Sequence, residues 1–300
     1  MTKSKIVKCK IITIVIILWL TPQFTLAQNN SDSLSITDCS EYTTPKPLRF
    51  IRNVPDDVVK MFESPFHKKN LKGLVIVGGV TCLLIPFDVQ ISEGVKHFSQ
   101  QIHINAKEDY DSPVRFKDAR IIKIPQNINS AFYQLGEGGT TIIVAGGLFL
   151  YGKIKNNPKP LNVASDIVES TIAVGLSTQI IKRFTGRETP SRVTDEDGDS
   201  EWWQFPGFKE FQKNTPKYDS YPSGHLATMA STVATLMLNY PEKKWIKILG
   251  GSLIGLTGLS MINNDVHWLS DYPLALALGY VSAKITFDRN HRQHVKKILL

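Results

Sequence analysis

The stretch "YPSGHLATMAS", Tyr221–Ser231, changes character halfway along. Pro222, Ser223, Gly224 and His225 suit a turn, and the residues after them are small, apolar and of helical type. Serine is a favoured N-cap, and proline is tolerated in a first helical turn. The free N–H groups of a helix start, aided by its dipole, make an anion site. Glycine lets backbone approach a ligand closely, and histidine moves a proton near neutral pH. The stretch therefore predicts a helix packed through small residues, beginning at a turn that is either a plain helix start or one wall of a phosphate site.

Outward from it, apolar segments recur at about 71–87, 139–152, 166–182, 225–240, 246–262 and 272–285. Glycine and alanine are frequent inside them and β-branched alternation is rare, which predicts an all-α fold, a six-helix bundle. Residues 104–135 are mixed; "NINSAFYQL", Asn127–Leu135, reads as a short amphipathic helix. Residues 28–66 are polar and rich in proline and read as an extended leader, while 288–300 read as a solvated basic tail.

The first residues bear on compartment. Lys3, Lys5, Lys8 and Lys10 precede the apolar run Ile11–Leu20, and Thr25 and Ala27 stand where a cut needs small side chains. This is the three-part pattern of a signal peptide, residues 1–27, with a retained membrane anchor as the alternative. Removing those four lysines lowers the formal charge from +8 to +4, too mild a balance to suggest nucleic acid as a partner. Of the cysteines left, Cys82 sits in an apolar run and reads as buried and free; no Cys/His cluster has metal-ligand spacing. Within the apolar segments each charge-free run falls short of the roughly 18–20 residues a bilayer needs, and mean hydropathy is −0.10. These features favour an exported bundle of the periplasm or cell envelope, soluble or membrane-associated, over a six-span protein.

Chemistry gathers at segment ends. "TQIIKRFTGRETPSR" closes the third segment with Lys182, Arg183, Arg187 and Arg192, and "GLSMINNDVHWLSDYP" closes the fifth with His267 and Asp271. Positions i and i+4 share a helix face, so Asp271 can hold one imidazole nitrogen of His267 and leave the other as a nucleophile. A surface ion pair is the plainer reading of that spacing.

Taken in order, "KRFTGRETP" (Lys182–Pro190), "PSGH" and "SMINNDVHWLSD" (Ser260–Asp271) resemble the three motifs of the type 2 phosphatidic acid phosphatase (PAP2) superfamily, which also contains bacterial acid phosphatases and vanadium haloperoxidases. The resemblance covers residues 67–287. It implies that His267 attacks phosphorus, oriented by Asp271, and that His225 protonates the leaving group. Lys182, Ser223 and Gly224 would hold the phosphoryl oxygens, with no metal and no cofactor. The implied substrate is a phosphorylated lipid or small phosphate ester, with the membrane surface as an accompanying partner.

Two positions depart from the pattern. Thr189 and Met261 stand where the family's motifs carry arginine. Losing such a donor commonly costs about 2.7–4 kcal/mol in comparable oxyanion sites. Arg187 and Arg192, in the same loop as Thr189, are the candidate replacements, and Asn263 or Asn264 can offer weaker donors beside Met261. A weakened phosphatase, a non-catalytic phosphate or headgroup binder and a haloperoxidase remain as readings; the missing arginines count most against the last. The aromatic link Trp202–Phe211 reads as a cover over the site or as a loop with its own apolar cluster. "DEDGD" has its glycine misplaced for a calcium loop.

Overall fold

The computed structural model describes residues 42, 44–104, 106, 109–116, 119–193 and 200–298. The signal-peptide reading, Cys39 and "DEDGD" lie outside the described residues. Helices dominate: α1 Arg49–Arg52, α2 Val54–Glu63, α3 Leu71–Leu84, α4 Asp88–Gln101, α5 Ile128–Leu135, α6 Gly138–Ile154, α7 Pro158–Thr185, α8 Phe208–Lys213, α9 Gly224–Asn239, α10 Lys244–Asn263 and α11 Tyr272–Ile298. Each of the six apolar segments is a helix: α3, α6, α7, α9, α10 and α11.

α9 lies at the centre, packed on α7, α10 and α11. Its small residues set the spacing. A Cβ at Gly279 of α11 would stand 2.6 Å from the Ala227 carbonyl oxygen, and one at Gly250 of α10 would stand 2.4 Å from Val233. Leu226, Ala227, Met229, Ala230 and Val233 of α9 are buried in the main core with Val174, Met261, Leu269 and Tyr272. Burying one large apolar side chain contributes about 1.5–3 kcal/mol.

Two places depart from the sequence reading. Tyr110–Phe116 and Ala119–Pro125 form an antiparallel hairpin, β1–β2, whose register shifts between Asp111 and Val114. Pro113, which has no N–H to give the ladder, sits in that shift. Residues 49–63, read as extended leader, are helical. Pro55 occupies the first turn of α2, and Val54 and Met61 are buried while Lys60 and Glu63 face water.

One group of polar ties gathers on α7. Arg49 reaches Asp166 at 2.6 Å, Arg289 of α11 reaches Glu169 at 3.1 Å, and Asn53 donates to Glu169 at 3.1 Å. Asp166 and Glu169 are fully buried, and Arg289 also binds Asp57, so the first and last helices are clamped to one face of α7.

Leu71–Gln101 and Lys244–Asn263 are long and apolar enough to cross a membrane. Only 17% of the most apolar window of the first is buried, and Val75, Leu83, Ile143, Ile154 and Ile248 are exposed. These helices point to membrane association. Cys82 is free and also exposed, because α3 is apolar all round and covered on one side alone.

Candidate active site

α7 ends at Gly186, whose φ of 56° is left-handed. A Cβ there would lie 1.8 Å from the Trp203 carbonyl oxygen, so both the turn and the packing require glycine. The next residues are laced on both sides. Glu188 N–H donates to the Glu201 carbonyl, Ser220 N–H to that of Arg187, and Thr189 N–H to that of Pro216. This lacing brings Asp219 and Ser220 beside the end of α7, the start of α9 and the turn before α11.

At that junction His267 and Asp271 are both buried, His267 Nδ1 facing Asp271 Oδ2 at 3.5 Å. That separation is longer than a tight hydrogen bond, and it puts the carboxylate on the Nδ1 side of the ring. Asp271 is strongly held. Oδ2 also accepts from Ser220 Oγ at 2.6 Å and from Trp268 N–H at 2.9 Å, and Oδ1 accepts from Arg187 Nη1 at 2.6 Å. Burial works to raise the Asp271 carboxyl, but the Arg187 guanidinium, with His267 and Ser220, outweighs it and holds the group below the usual carboxylate range.

His225 faces His267 with ring centroids 6.3 Å apart, and Tyr133 of α5 lies 5.0 Å from its other side. Burial, and then the neighbouring His267, Lys182 and Lys123, push the His225 imidazole down to about 3. It is neutral in the empty site. Lys182 is 3% exposed and pairs with Asp219 at 2.9 Å. A Cβ on Gly224 would come within 3.7 Å of its Nζ, so the ammonium sits over the start of α9. Ser223 caps α9, its Oγ accepting from Leu226 N–H at 3.4 Å. His267, Asp271, His225, Lys182, Ser223 and Gly224 thus converge.

The two replacement arginines behave differently from the sequence expectation. Arg187 is 1% exposed and its donors are committed: Nε to Ser200 at 3.1 Å, Nη1 to Ser270 and Asp271 at 2.6 Å, Nη2 to Asp88 at 2.7 Å. It faces two carboxylates, so it orients Asp271 in place of gripping phosphate. Arg192 is exposed on the turn Pro190–Arg192. The asparagines are engaged as well: Asn263 donates to Asn129 at 3.3 Å, and Asn129 donates to Asn264. Asp88, Ser220, Ser270 and Asp219 were not singled out by sequence. The signal for Asp88 is an acid placed directly after the apolar run that ends Ile85-Pro86-Phe87.

Thr189 and Met261 are both buried, and Met261 Sδ stands 3.7 Å from Ser223 Oγ. An arginine at 261 would enter a closed apolar space with no acidic partner provided by the motif. Met261→Arg is therefore expected to destabilise the empty protein by about 1–3 kcal/mol, with much of the loss recovered on adding orthovanadate. Thermal unfolding with and without orthovanadate checks this, and recovery would mark residue 261 as lining the anion site.

The comparisons agree with this arrangement. Residues 164–294 match the model of the PAP2 superfamily, a range that holds all three motifs. A lipid A 1-phosphatase of Porphyromonas gingivalis is 33% identical over 70 residues, which are 23% of this chain and 16% of that protein. No solved structure gives a significant match. In both the family match and the motifs gathered at one end of the bundle, residues 164–294 of this chain resemble the PAP2 superfamily.

Proposed function

We propose that the chain is a metal-independent phosphatase acting on phosphomonoesters or diphosphates, lipid phosphates above all, through a phosphohistidine intermediate. One observation carries the reading: a carboxylate-oriented His267 faces a neutral His225 across 6.3 Å. Reacting atoms approach at about 3–3.5 Å, so one phosphoryl group bridges that gap. The family and the lipid A 1-phosphatase relative support phosphatase chemistry on lipid phosphates. The exposed apolar helices would bring the site to a membrane, and export to the periplasm completes the reading.

His267 Nε2 attacks phosphorus while the P–O bond to the leaving group breaks, and that oxygen takes a proton from His225. Water then gives a proton to His225 and attacks the phosphohistidine, releasing phosphate and the free imidazole. Lys182, Ser223 and the N–H groups opening α9 carry the developing charge. Because burial, and then the positive charge of Lys182 and Lys123, keep His225 neutral when the site is empty, the incoming phosphate must supply the compensating charge. Substrate binding is therefore coupled to uptake of a proton by His225.

Hydrolysis of an aryl phosphate and of a lipid phosphate by the purified chain should persist in excess EDTA and be inhibited by orthovanadate. Loss in EDTA with recovery on adding a divalent cation would reject the mechanism. A second reading, a phosphate or headgroup binder without turnover, is favoured by the buried Thr189 and Met261. Phosphate binding without hydrolysis of any ester tried would establish it.

A further inference from the structure

A cavity of about 430 Å³ opens on the side of the bundle between α6, α9 and α10. Its wall is apolar, with Val144, Leu148, Met229, Val233, Leu236 and Leu253 among the lining residues. It begins at Met229, one helical turn past His225, and runs along α9 to Tyr240. Eleven rises of ~1.5 Å span about 16 Å, close to half of the ~30 Å hydrocarbon core of a bilayer.

The far end has a different chemistry. Lys159 Nζ lies 4.7 Å from the centroid of the Tyr240 ring and 5.5 Å from that of Tyr42, and Lys243 Nζ lies 5.2 Å from that of Tyr240. Trp245 stands beside them, 58% exposed. Among the described residues that line the cavity there is no acid. The ends of α6 and α10 and the turns beside them add Lys153, Lys155, Lys244 and Lys247 against the single acid Glu242. An apolar slot one leaflet deep, ending in cations and amphipathic rings, matches an acyl chain joined to an anionic headgroup.

We propose that this groove is a second lipid site, distinct from the catalytic one. It holds an anionic glycerolipid whose headgroup rests on Lys159 and Lys243 and whose acyl chain reaches up towards the catalytic end. The occupant enters with its headgroup remote from the active site, so it is not the substrate. The exposed Ile248 and Leu249 of α10 continue the apolar wall towards the bilayer.

Native mass spectrometry of the full chain, released from mixed micelles holding phosphatidylglycerol and phosphatidylcholine with matched acyl chains, tests this. Wild type is expected to retain phosphatidylglycerol preferentially, by about fivefold for each lysine engaged. The Lys159→Gln/Lys243→Gln double variant should lose that preference, and Leu148→Trp, which fills the slot, should lose the adduct altogether. Saturating orthovanadate should leave the adduct in place, which separates this site from the proposed catalytic one. Equal retention of both lipids, no effect of either variant, or displacement by orthovanadate would overturn the proposal. So would a disulfide between Leu148→Cys and Ile16→Cys in a chain with serine at 9, 39 and 82, since the chain's own apolar run would then be the occupant.

Discussion

His267→Ala should abolish turnover, by about 10⁴-fold or more in kcat, since removing a nucleophile that acts as part of a unit takes away nearly all the chemistry the unit performs. His267 is fully buried against Asp271, so the variant also leaves a small polar cavity; circular dichroism and thermal unfolding serve as controls. His225→Ala should behave differently. It removes the proton donor to the leaving oxygen, so its effect should be smallest on aryl phosphates, which need little help in leaving, and largest on alkyl esters. Rapid-quench trapping of a phosphorylated intermediate joins the two: it should be absent in His267→Ala and should accumulate in His225→Ala, where water is no longer activated. Near-normal turnover in His267→Ala beside an inactive His225→Ala would reverse the assigned roles.

Arg187→Ala has the second largest expected effect, and it falls on stability as well as rate. Arg187 lies between Asp271 and Asp88, both buried, with bonds of 2.6 and 2.7 Å. Removing one partner of a buried ion pair costs about 3–5 kcal/mol because the remaining charge has nothing to offset it. Arg187→Lys keeps the charge without the planar fork and should fold better, yet still turn over more slowly. The diagnostic is the pH profile. Arg187 holds the Asp271 carboxyl below its ordinary value, so the stability it contributes is present above the unfolded carboxylate pKa and lost as pH falls through the lower folded one. Without the guanidinium, burial dominates and Asp271 takes up its proton at higher pH. The acid limb of kcat in Arg187→Lys should therefore move upward in pH with KM little changed. Replacing an arginine that gripped substrate would instead raise KM and leave that limb in place.

The core of the fold and much of the site were legible because they are written in local patterns. Glycine- and alanine-rich apolar runs favour helices, and all six formed, although α3 and α6 keep much of their apolar surface exposed. Ser223 and Gly224 mark a helix start, a local fact. His267 and Asp271 do meet, but not on a helix face: His267 and the extended Trp268 lie outside any helix, and the tight turn Leu269–Asp271 brings the carboxylate back to the ring. Arg187 was legible as a cation near the site and illegible in its role. Its partners Asp88 and Asp271 are 99 and 84 residues away in the chain, and no spacing rule connects them. The hairpin at 110–125 was hidden because Pro113 and Pro125 break the alternation that marks strands. Helix α2 was hidden among prolines, one of which opens it.

The clamp on α7 also has a consequence for biosynthesis. Glu169 and its partner Arg289 are 120 residues apart, so a ribosome working at 5–20 residues per second delivers the arginine roughly 6–24 s after the glutamate. Through that interval the nascent chain has most of its core helices but lacks one of the cations that make burial of Glu169 and Asp57 tolerable. The part of the clamp that joins α2 to α7 through Arg289 cannot close until α11 has been made. A stop codon a few residues before Arg289 would remove little apolar surface, yet it would leave those carboxylates without that guanidinium and send the product to quality control.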